Sequence, residues 1–78
     1  MTQASAVVNR AENTVTYAGT AYAIQLLAPD TYAVLLAGVP VGRIVYTFGA
    51  ANGVPEGDSV SEAVLEAIGE AWFAALES

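Results

Sequence analysis

The stretch Ser59-Val60-Ser61-Glu62-Ala63-Val64-Leu65-Glu66-Ala67-Ile68-Gly69-Glu70-Ala71-Trp72-Phe73-Ala74-Ala75-Leu76-Glu77 decides how this chain folds. Wound at ~100° per residue, it gathers Val60, Val64, Leu65, Ile68, Ala71, Trp72, Ala75 and Leu76 onto one apolar arc. Alanine, leucine and glutamate dominate, all good helix formers, and no proline interrupts them. Ser59-Val60-Ser61-Glu62 has the form of a capping box, in which the Ser59 hydroxyl accepts from the Glu62 amide and the Glu62 carboxylate reaches back. Asp58 and Glu56 add negative charge where a helix N-terminus favours it. The spacing predicts a helix over 59–77. Within it Gly69 costs about 1 kcal/mol against alanine and lets the helix backbone approach a neighbouring layer.

The opposite side of that helix carries Glu62, Glu66, Glu70 and Glu77, with Phe73 among them. Carboxylates four residues apart destabilise a helix by roughly 0.2–0.5 kcal/mol per pair, and from Glu56 onward there is no lysine or arginine to offset them. The formal net charge of −6 belongs wholly to this region. Upstream, Glu12 and Asp30 balance Arg10 and Arg43, whereas Glu56, Asp58, Glu62, Glu66, Glu70 and Glu77 stand unbalanced. Two readings follow. The row is either a solvated face that keeps the chain soluble, or a ridge that binds a basic partner with Phe73 as its apolar anchor. Such a surface repels phosphate, so direct nucleic-acid binding is not expected.

Ahead of the helix the chain alternates in strand fashion. Ala6 to Asn9 suits a short strand and Thr14 to Ala18 another, with Gly19 breaking or bulging the run. Thr20 to Ala28, Thr31 to Leu36 and Val39 to Phe48 are the three long strands. They are separated by a turn at Ala28-Pro29-Asp30 and a hairpin connection at Ala37-Gly38. Gly49 to Gly57 reads as a loop, because Asn52-Gly53 and Pro55 disfavour regular structure. The expected fold is α+β: an antiparallel β-meander of three to four strands packed on one C-terminal α-helix as two layers. A single domain, 1–78, divides into a meander (6–48), a loop (49–58) and a helix (59–77).

One face of that sheet (Tyr22, Ile24, Leu26, Tyr32, Val34, Leu36, Ile44, Tyr46, Phe48) would receive the helix. The other would show Ala23, Leu27, Ala33, Leu35, Val41 and Val45, broken by Gln25, Arg43 and Thr47. One helix cannot cover both faces. The second face is therefore wet, or the N-terminal strand crosses it or extends the sheet, or else a partner or second copy covers it. Leu27, Leu35, Val41, Arg43 and Val45 are the candidate residues of that second interface, and the chain is expected to be a monomer or a homodimer.

Several chemistries are excluded by composition. The chain has no cysteine and no histidine, and both of its cations are arginines. Disulfides, thiolate zinc sites, Schiff-base lysines and most nucleophile–base pairs are thereby ruled out. Gly38-x-x-x-Gly42 lacks the Gly-Lys-Ser/Thr of a phosphate loop. The glutamates project from a convex ridge rather than into a pocket, so neither catalysis nor a cofactor is expected. No apolar run reaches the ~18 residues that span a bilayer. Residues 1–8 lack the basic region and long apolar core of a signal peptide, which predicts a cytoplasmic protein.

A short, acidic, cysteine-free chain with a β-meander packed on a helix bearing Glu56, Asp58, Glu62, Glu66, Glu70 and Glu77 resembles phage-encoded inhibitors, among which anti-CRISPR proteins are the largest group. The resemblance is one of size, charge and architecture. It implies a stoichiometric inhibitor acting in a bacterial host cell on the basic channel of a nucleic-acid-guided complex, such as a CRISPR surveillance complex. Carboxylates would stand there in place of phosphates, as in a DNA mimic. The alternatives are a structural or assembly subunit joined through the apolar sheet face, and an antitoxin-like module that caps one cognate protein.

Overall fold

The computed structural model describes residues 6–77. Six antiparallel strands lie in sequence order in one sheet: β1 (Ala6–Asn9), β2 (Thr14–Tyr17), β3 (Thr20–Ala28), β4 (Thr31–Leu36), β5 (Val39–Thr47) and β6 (Ala50–Pro55). A single helix, α1 (Glu62–Glu77), follows them. The α+β class and the antiparallel meander are as the sequence predicts, with more strands than the expected three to four. The N-terminal segment extends the sheet, since β1 pairs with β2 in its plane.

Three of the connections share one construction. Ala18-Gly19, Ala37-Gly38 and Phe48-Gly49 each hold two successive positive φ values, 52° and 84°, 53° and 83°, and 53° and 78°. This is the type I′ arrangement, whose twist matches that of the flanking strands. Glycine takes the second position at no steric cost; alanine and phenylalanine bear the strain at the first. Two-residue turns of this kind fix the register and leave no room for the expected loop at 49–57. Asn52, Gly53 and Pro55 instead fall within β6, paired with Val45, Ile44 and Gly42. Pro55 is tolerated because it ends a strand on the sheet's edge, where its missing N–H removes no ladder bond.

Pairing aligns the inward residues in rows. Val8, Val15 and Tyr22 form one row across β1–β3. Ile24, Val34, Gly42 and Pro55 form the next, and Leu26, Tyr32, Ile44 and Gly53 a third. The sheet curls around α1, which packs against both of its edges, β1–β2 on one side and β5–β6 on the other. Leu65 occupies a socket formed by two glycines: a Cβ added to Gly42 would lie 2.5 Å from its Cδ1, and one added to Gly53 would lie 2.5 Å from its Cβ. Gly69 also brings the helix close, with Ala51 Cβ 3.0 Å from where its own Cβ would be. The core comprises Val15, Tyr22, Ile24, Val34, Val41, Ile44, Val60, Leu65, Ile68, Trp72 and Phe73.

The helix begins two residues later than a cap at Ser59 requires, at Glu62. Ser61 is the N-cap: its Oγ accepts from the Val64 amide at 3.2 Å and its carbonyl from the Leu65 amide at 3.1 Å. Val60, buried just outside the cap, and Leu65, four residues inside it, belong to the same core cluster, which is the arrangement of a hydrophobic staple. Burying Val60 this way moves the helix start past it, so Glu62 becomes the first helical residue rather than the reciprocal partner of Ser59.

Candidate protein-interaction site

The helix places its carboxylates on a flank, not on the side directly opposite the core. At ~100° per residue Glu62, Glu66, Glu70 and Glu77 lie within about 80° of arc, next to the buried Phe73 and Gly69. Glu62, Glu70 and Glu77 are exposed and Glu66 is half-buried. This flank faces β6, where the Glu62 carbonyl and the Glu66 amide come near Gly53. Glu56 and Asp58 lie in the exposed lead-in to the helix.

Both cations of the chain are engaged away from this row. Arg10 Nη1 in the β1–β2 turn donates to the Ala75 carbonyl at 3.2 Å. Arg43 Nε on β5 pairs with Glu56 Oε2 at 3.2 Å, both side chains about half exposed. Among the described residues no cation pairs with Glu62, Glu66 or Glu70. Of the six acids expected to act together, Glu56 is thus neutralised within the molecule, and Glu77 accepts a hydrogen bond from Tyr46 Oη at 3.2 Å.

Phe73 requires a correction. It is only 7% exposed and packs edge-on against Tyr32 and at a tilt against Tyr46, with ring centroids 5.6 and 4.8 Å away. The curled sheet reaches farther round the helix than a flat one would, bringing β5 over the position that the helical wheel leaves at the margin. Phe73 is therefore a core residue and not an exposed anchor. The fully exposed aromatic is Phe48, at the tip of the β5–β6 hairpin.

Between that hairpin and the last turns of α1 lies an open cleft of about 270 Å³. Tyr46 and Phe73 form its aromatic wall, Glu70 and Glu77 its acidic wall, and Gly49, Ala50 and Ala51 its floor of small residues. Tyr46 retains its proton to higher pH than an ordinary phenol, chiefly because its hydroxyl donates to Glu77 and secondarily because that carboxylate's charge opposes the phenolate. Sequence reasoning placed Glu70 and Glu77 on the ridge but missed Tyr46 and the floor. The signal was Phe48-Gly49-Ala50-Ala51, where two small residues follow a turn and leave space beside the helix.

Comparison with protein-family models, curated proteins and solved structures finds no match to this chain.

The outer sheet face is less apolar than expected. Val41 is absent from it: at 3% exposure it belongs to the core, because a bulge where the β4–β5 register shifts turns it inward. Leu27, beside the β3 irregularity, is exposed, while Leu35 and Val45 are half-buried. Gln25 and Arg43 flank Ala33 on the neighbouring strands, and Thr14, Thr16 and Asn52 complete a mixed surface. Among the described residues no strand or helix lies across this face. No helix is long and apolar enough to cross a membrane, and no group of three or more acidic side chains could hold a metal ion, among the described residues.

Proposed function

We propose that this chain is a non-enzymatic protein-binding module that sets carboxylates against a basic protein surface and blocks it stoichiometrically. The observation that supports this reading is the disposition of its charges: Arg10 and Arg43 are occupied elsewhere, and Glu62, Glu66 and Glu70 share one flank with no counter-charge among the described residues. Such a row weakens the isolated helix, and a partner's cations would offset that cost. Complementary potential gives fast association that salt suppresses. The likeness in size, charge and architecture to anti-CRISPR proteins favours, as the target, the nucleic-acid channel of a type I surveillance complex.

The test is target-DNA binding by a purified type I surveillance complex, followed by gel shift with increasing amounts of this protein at low salt. The expected result is displacement of DNA that is relieved by added salt and lost in Glu62→Lys/Glu66→Lys/Glu70→Lys. Undiminished DNA binding at every protein concentration would remove this target.

A second reading rests on the outer sheet face, where Leu35 and Val45 are half-buried and Val54 is exposed. A structural subunit or an antitoxin-like module would join its neighbour there. Light scattering after size exclusion separates the two. A monomer supports the acidic flank, whereas a defined dimer dispersed by Leu35→Glu supports the sheet face.

A further inference from the structure

The antiparallel meander puts the turns at 10–13, 29–30 and 48–49 at one end of the sheet, and those at 18–19 and 37–38 at the other. The Arg10–Ala75 and Tyr46–Glu77 contacts bring the helix C-terminus to the first of these ends. Leu26, Leu27, Phe48 and Leu76, four of the large apolar side chains left exposed, therefore share that end with the cleft. Leu26 and Leu76 occupy core-facing positions by periodicity, yet Leu26 is 63% exposed because sheet and helix no longer meet over it. The end of the molecule thus combines an apolar rim with an anionic recess.

The geometry points to that recess as the receptor for one arginine side chain of a protein partner, with Phe48 contacting apolar residues beside it. This deepens the reading of the acidic flank and rests on it. At about 270 Å³ the cleft lies below the ~300–1,000 Å³ of sites for drug-sized ligands, so it suits a single side chain. Tyr46, half-buried and backed by Phe73, supplies an aromatic ring at which a cation is attracted by the quadrupole. Glu70 and Glu77 supply carboxylates, and the hydrogen bond from Tyr46 uses only Oε2 of Glu77, leaving its second oxygen to accept. A guanidinium stacks on aromatic faces, binds carboxylates through a planar fork and is weakly hydrated; an ammonium does none of these as well. The source is a protein because the mouth is apolar: Gly49 in the floor directly follows Phe48, whose ring is wholly exposed. Phe48 also holds a φ of 53°, a conformation that is a genuine outlier for a bulky residue. Asparagine or glycine would sit there with less strain, so stability alone does not account for an aromatic at this tip.

The experiment uses the isolated protein and capped tripeptides, followed by amide chemical shifts of Gly49, Ala50 and Ala51. Gly-Arg-Gly should shift these amides saturably, and its uncharged citrulline counterpart should not. Glu70→Gln/Glu77→Gln should weaken the arginine peptide about tenfold, with an unchanged circular dichroism spectrum. Leu-Arg-Leu should bind about threefold more tightly than Gly-Arg-Gly, an increment lost in Phe48→Ala. Shifts that do not saturate, equal shifts with the citrulline peptide, or equal binding of Gly-Lys-Gly would each overturn the arginine assignment. Because the peptides bypass the surveillance complex, failure here leaves the flank's blocking of a basic surface separately testable. Failure of the DNA-displacement assay leaves this recess testable in turn.

Discussion

Arg10 donates to the carbonyl of Ala75 across 65 positions of sequence, from the first hairpin of the sheet to the last turn of the helix. The helix has no basic residue of its own in that turn, so this guanidinium supplies the positive charge that a C-terminal dipole favours. Arg10→Met should lower unfolding free energy by about 0.3–1 kcal/mol, measured by denaturant titration. The difference should shrink as salt screens it.

The cap assignment separates two serines that look equivalent in the sequence. Ser61→Ala removes the acceptor for the Val64 amide and should cost about 0.5–2 kcal/mol. Ser59→Ala lies outside the helix and should stay within about 0.5 kcal/mol of the parent. Equal losses in the two variants would return the cap to Ser59.

Gly53 leaves room for Leu65, not for a turn. A Cβ there would also approach the Glu62 carbonyl at 3.0 Å and the Glu66 amide at 3.2 Å, backbone atoms that cannot swing aside. Gly53→Ala should therefore destabilise by about 1–3 kcal/mol, the range for overpacking. Gly19→Ala meets nothing within 4 Å, so any loss there reports only its φ of 84°. Amide exchange of β6 should rise in the Gly53 variant and not in the Gly19 one.

The Tyr46–Glu77 hydrogen bond predicts an alkaline effect. The phenol pKa is raised in the folded protein above 10.0, so its contribution is complete below the unfolded value and is lost as pH rises through the folded one. Followed by its ring-carbon chemical shift, Tyr46 should titrate above 10.0. Glu77→Gln should bring it back toward 10.0, since the carboxylate charge goes with the substitution.

The helix, the three long strands and the acidic imbalance were legible because each rests on periodicity or on a count of charges. Two elements were hidden by residues that serve the tertiary structure rather than the local one. Asn52-Gly53 and Pro55 have the composition of a loop, yet Gly53 is small to admit Leu65 and Pro55 sits on an edge that needs no donor. Phe48 is an improbable turn residue, so the Phe48-Gly49 hairpin that sets the register of β6 gave no signal beyond its glycine. Phe73 was misplaced for a related reason: a helical wheel marks its angle but not how far a curled sheet wraps. Of the recess only the small floor residues Gly49, Ala50 and Ala51 left a mark in the sequence, since its walls come from segments more than twenty residues apart.

Because α1 contacts both margins of the sheet, the six strands can pair in succession while their hollow side waits for residues 62–77. A ribosome delivers those residues after every strand. Without them the sheet is an oily trough with two bare rims, open to whatever strand or chaperone reaches it first. Premature termination before Glu62 would release a sticky fragment that aggregates rather than a smaller working protein.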